Sequence, residues 1–78
     1  MKLIHAKKNS NYIITGFSDD ELDNATKNRL IGLGFHIGSE IKINNHGILN
    51  DPIAVSVNDS VIAIRHSMAQ KILVKENI

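Results

Sequence analysis

The segment IAVSV-ND-SVIAIR, residues 53–65, constrains the fold more than any other stretch of this chain. Two apolar runs flank the dipeptide Asn58-Asp59. Asn and Asp tolerate the positive φ that a two-residue hairpin loop demands, so the segment reads as a β-hairpin. Short apolar runs between turn residues recur elsewhere. YIITGF, residues 12–17, reads as a strand with Tyr12, Ile14 and Gly16 on one face and Ile13, Thr15 and Phe17 on the other. EIKIN, residues 40–44, alternates Ile41 and Ile43 with Glu40 and Lys42, the pattern of a half-buried strand. ILVKE, residues 72–76, reads as the last strand. The expected fold is mainly β, a small five-stranded, partly open barrel, because a barrel hides edges that a flat sheet would expose.

Two helical pieces interrupt the strands. FSDDEL, residues 17–22, is a helix start: Ser18 and Glu21 fit a capping box, and Phe17 and Leu22 fit a hydrophobic staple. Asp19 and Asp20 sit in the first turn, where the helix dipole favours carboxylates. The helix is expected to present Leu22, Ala25, Leu30 and Leu33 to a core, with a break near residues 24–26, where DNATKN has weak helix propensity. SMAQ, residues 67–70, repeats the capping pattern around one helical turn before the last strand.

RLIGLGFHIGSEIKI, residues 29–43, holds three glycines in the spacing G-x-G-x-x-x-G. A dinucleotide loop needs G-x-G-x-x-G after a strand and before a helix. Here the glycines close a helix and open a strand, and a helix C-terminus repels phosphate. The reading is therefore structural. Gly34 supplies the left-handed residue after a helix, with Phe35 packing back on Leu30, and Gly38 turns the chain into the next strand. Gly32 is expected to allow close packing against a strand.

Composition excludes several functions. At 78 residues the chain suits one small domain, expected to span residues 1–78. It has no cysteine, so neither a disulfide nor a thiolate metal site can form, which fits a cytosolic home. The net charge is +1 with scattered lysines, and three aromatics offer no stacking platform, so nucleic acid is not an expected partner. No apolar run reaches the roughly 20 residues of a membrane span, so no membrane insertion is expected.

The two segments together resemble the FeoA family. RLIGLGFHIGSEIKI resembles the pattern R-L-x-x-L-G-x-x-x-G-x-x-I/V-x-V, with Ile43 at the final position. DPIAVSVNDSVIAIRHSMAQKILV resembles the family's D-P-I-x-V-x-V segment and its I-A-L-R-x-x-x-A-x-x-I-x-V continuation. The matching positions are Arg29, Leu30, Leu33, Gly34, Gly38, Ile41, Asp51, Pro52, Ile53, Ala63, Arg65, Ala69 and Ile72. Ile37 stands where members often have proline, and Asn50 where they often have glycine; both changes touch turns. The resemblance implies an SH3-like barrel, a cytoplasmic accessory of ferrous iron uptake, and a partner in the cytosolic region of FeoB, a transporter that carries a G-protein domain. The same module ends DtxR-type metal-dependent repressors, so the alternative is a metal-responsive regulatory domain.

No catalytic constellation stands out, so the chain is not expected to be an enzyme, and no cofactor is implied. His5, His36, His46 and His66 show no ligand spacing and read as surface residues, His46 in a loop beside Asp51. The acidic group Asp19, Asp20, Glu21 and Asp23 is explained by its helix start. Arg29 and Arg65 read as salt-bridging or capping residues, not as an arginine finger for a GTPase partner. Partner contact is expected at Ile48 and Leu49 in the polar loop NNHGILND, residues 44–51, and on the exposed side of the helical segment. Edge strands would also admit weak self-association.

Overall fold

The computed structural model describes residues 1–18, 24–47, 49 and 51–77. A 3₁₀ turn at Leu3–His5 precedes β1 (Asn11–Phe17), α1 (Asn24–Gly32), β2 (Glu40–His46), β3 (Ile53–Val57), β4 (Ser60–Ile64), α2 (His66–Ala69) and β5 (Ile72–Glu76). The strands form one antiparallel sheet in the order β4-β3-β2-β1-β5. This is the expected architecture: five strands, a helical segment between the first two, and a helical turn before the last.

Alternation places the core. Tyr12 and Ile14 of β1, Ile41 and Ile43 of β2, Ile53, Val55 and Val57 of β3, and Ile72 and Val74 of β5 are buried. Each such aliphatic side chain withdrawn from water contributes about 1.5–3 kcal/mol before entropic costs. Register shifts between Ile14 and Gly16 in β1, and between Ile43 and Asn45 in β2, bend the sheet on itself. The first shift breaks the simple alternation expected for Tyr12, Ile14 and Gly16: Gly16 is half-buried, and Phe17 packs against the core.

The turns follow their residues. Asn58 and Asp59 have φ of 50° and 64°, the paired positive angles of a type I′ hairpin. The exit of α1 is a Schellman motif: Phe35 N–H donates to Leu30 O at 3.1 Å, and Gly34 N–H to Ile31 O at 3.0 Å. Gly34 has φ 106°, and Phe35 and Leu30 are both fully buried.

Four local expectations are corrected. Within α1 only Leu30 is buried; Ala25 and Leu33 are exposed, because the helix touches the core only near its C-terminal end. Gly32 allows no close approach, since a Cβ there would meet nothing within 4 Å. Ser67 does not cap α2. The helix starts a residue earlier, with Arg65 at the N-cap position and no cap from its own side chain. The strand β2 runs on through Asn44 and Asn45 to His46, which pairs with Ile53, so His46 is not in the loop. The expected capping partner Glu21, the staple residue Leu22 and the acidic residues Asp19, Asp20 and Asp23 lie outside the described residues. The Ser18 N–H donates to Lys71 O at 2.8 Å, next to the Phe17–Ile72 pair of the neighbouring strands β1 and β5.

Candidate interaction surface

Two turns that lie far apart in sequence form the walls of an open cleft. One is the β3–β4 hairpin turn, the other the Gly38 turn leading into β2. The cleft holds about 880 Å³, and its lining includes Ile37, Gly38, Lys42, Ser56, Asn58 and Val61.

Each wall is fixed by hydrogen bonds to backbone groups. Asn58 Nδ2 donates to Gly34 O at 2.9 Å, tying the hairpin turn to the α1 exit. Gly38 N–H donates to Ile14 O at 2.8 Å, and Ile14 N–H to Ser39 O at 3.0 Å, tying the other wall to β1. Gly38 carries φ 93°, which an L side chain rarely adopts. The Asn44 amide donates to Ser56 Oγ at 2.6 Å, linking β2 to β3. Two large apolar side chains stand exposed beside this frame: Ile37 and Val61 each show 69% of their surface. A fixed, open cleft with a mainly polar lining and two exposed apolar side chains can meet a partner surface.

The residues expected to meet a partner divide. Ile48 lies outside the described residues. Leu49, between β2 and β3, shows 93% of its surface and has φ 59°, so it does not fold over the barrel. Ile31 and Leu33, at the end of α1, are also exposed large apolar residues. The cleft itself escaped sequence reasoning. Ile37 stood out only as a replacement for proline, and nothing local joins it to Val61.

The histidines do not converge. His5 lies in the 3₁₀ turn, and His36 Nε2 sits 2.9 Å from Ile31 O. His46 Nδ1 is buried with no partner among the described residues. His66 begins α2 and gives its backbone N–H to Asp51. Among the described residues no group of three or more His, Cys, Asp or Glu side chains could hold a metal ion. Arg29 lies exposed in α1. Arg65 pairs with Asp51 at 3.8 Å, and its carbonyl accepts the Met68 and Ala69 N–H groups of α2.

The FeoA domain family model matches residues 1–76. The chain belongs to the FeoA family, a family of ferrous iron transport. Among solved structures, iron(II) transport protein A from Clostridium thermocellum superposes with a TM-score of 0.87 at 29% identity over 97% of this chain. This chain spans only 45% of that chain. FeoA from Stenotrophomonas maltophilia, solved with zinc and described as a prokaryotic SH3 domain protein, gives a TM-score of 0.82 at 26% identity, covering 96% of this chain and 89% of that one. The repressor ScaR with bound Zn²⁺ shares the fold, with a TM-score of 0.83 at 21% identity over 99% of this chain and 37% of its own. No curated protein sequence matches. The SH3-like barrel implied by residues 29–43 and 51–74 is thus the observed one. No helix among the described residues is long and apolar enough to cross a membrane.

Proposed function

We propose that this FeoA-family protein is a non-enzymatic cytosolic accessory of ferrous iron uptake that binds the cytosolic region of a FeoB-like transporter. The observation that carries the reading is the cleft, with Ile37 and Val61 exposed beside a hydrogen-bonded frame. Apolar side chains held out in water, Ile37 on a turn and Val61 on β4, suit a partner surface. Leu49, in the β2–β3 loop at the opposite end of the β2–β3 pair from the cleft, offers a second, separate contact, together with its sequence neighbour Ile48. The Stenotrophomonas maltophilia relative has been considered as a bacterial ferrous iron transport activating factor, which agrees with this role. A metal-responsive regulatory domain rests on the ScaR likeness in fold alone. Binding of the purified protein to detergent-solubilised transporter from the same organism, with and without guanine nucleotide, tests the reading. Saturable binding supports it, and nucleotide dependence would place the contact on the G-protein domain. No binding in either state would overturn it.

A further inference from the structure

The sheet has two outer strands, β4 and β5, and the chain treats them differently. The β5 edge is covered by the first residues. The Met1 nitrogen donates to Val74 O at 3.0 Å, Val74 N–H donates to Met1 O at 2.8 Å, and Lys2 bridges Leu73. Among the described residues β4 pairs only with β3. Val57 and Ser60 close the two-residue hairpin, so the alternation of bonded pairs turns the backbone groups of Val61 and Ala63 outward. The β3–β4 register has no bulge, and the strand SVIAI has neither charge nor proline. Those are the devices that normally protect an edge.

We propose that this edge pairs antiparallel with β4 of a second copy of the chain, about a two-fold axis at Ile62. That register sets Val61 opposite Ala63 of the second copy, and Ala63 opposite its Val61. Each pair exchanges both of its outward hydrogen bonds. The same register brings Asp59, just before the strand, opposite Arg65 of the second copy, just after its strand, and repeats the match at the other end. The contact is therefore self-complementary in charge as well as in backbone. The Arg65 side chain is 77% exposed and 3.8 Å from Asp51, so it retains reach toward a second carboxylate. Axes at Val61 or Ala63 would pair fewer outward groups and lose the Asp59–Arg65 match. Two five-residue strands bury less than the roughly 1,000 Å² of a stable interface, so the dimer belongs to high concentration. Val61 also lines the cleft, so Ala63 and Arg65 are the positions that test pairing alone.

The test is a dilution series of the full chain, read by sedimentation velocity and by amide NMR. The expected result is a mass rising from 8.6 kDa toward twice that value, with concentration-dependent shifts centred on Val61 and Ala63. Ala63→Pro removes an outward N–H and spares the bonds to β3, so it should abolish association while the rest of the spectrum stays folded. If that variant does not fold, the charges decide. Arg65→Glu should weaken association by about tenfold or more, and adding Asp59→Lys should restore it. A monomer at every concentration would overturn the proposal. So would shifts centred elsewhere, or association indifferent to Ala63→Pro and Arg65→Glu. Shifts at Val61 and Ala63 that arise only when transporter is added would assign the edge to a partner strand and overturn self-pairing.

Discussion

The Asp51 carboxylate accepts the backbone N–H of His66 at 3.1 Å, across fifteen positions of sequence. It thereby caps α2 from another part of the chain, a role that the helix's own flanking side chains leave unfilled. Its second oxygen lies 3.8 Å from Arg65 Nη1 on an exposed surface. The cap should outweigh the ion pair, because exposed pairs contribute little.

Asp51→Ala should therefore destabilise the protein by about 1 kcal/mol. Asp51→Asn, which keeps an acceptor oxygen and loses the charge, should cost much less. Urea unfolding of the two variants separates the effects, and equal losses would mean that charge, not capping, is what Asp51 supplies.

Three glycines should respond differently to alanine. At Gly34, φ of 106° and an Asn58 Nδ2 atom 3.2 Å from the site of a Cβ both oppose the change, so Gly34→Ala should cost about 1–2 kcal/mol. At Gly47 a Cβ would run into the Pro52 carbonyl oxygen and lie 3.1 Å from the Asp51 carbonyl carbon, so Gly47→Ala should also destabilise. At Gly32 nothing lies within 4 Å, and the helix should gain about 0.5–1 kcal/mol from Gly32→Ala. Thermal melting of the three variants checks both signs.

Leu30 and Leu33 are three residues apart with opposite fates. Leu30 is fully buried under Phe35, whereas Leu33 shows 44% of its surface. Leu30→Ala should cost about 2–5 kcal/mol, and Leu33→Ala should stay within about 0.5 kcal/mol. Comparable losses in chemical denaturation would contradict the orientation of α1.

Leu49→Asp should leave stability unchanged, since the side chain is 93% exposed and Asp tolerates a φ of 59°. It should weaken transporter binding by about tenfold if the loop contributes an apolar anchor. Full affinity with the fold intact, read by titration calorimetry, would remove the loop from the contact.

The strands and their inward faces were legible because each carries its own alternation. Ile41 and Ile43, or the whole of IAVSV, need no distant information. The Schellman exit at Gly34 and Phe35 and the Asn58-Asp59 hairpin were legible for the same reason. What failed depends on distant chain. Ser67 looks like a cap until Asp51 supplies one. Leu33 looks like a core residue until the helix is seen to meet the barrel at one end. Leu3 and Ala6, within and at the end of a 3₁₀ turn too short to show a period, are buried. Gly47 matters through the returning Pro52 backbone, and the cleft joins Ile37 to Val61 only after the barrel closes.

The most direct measurement is an amide NMR titration of the isotope-labelled protein with its detergent-solubilised transporter. Binding through the cleft predicts selective loss of signal at Ile37, Gly38, Asn58 and Val61, with β5 spared; a separate loss at Leu49 would mark the second contact on the β2–β3 loop. Binding with changes confined to surfaces away from the cleft, or no change at saturating transporter, would contradict the account.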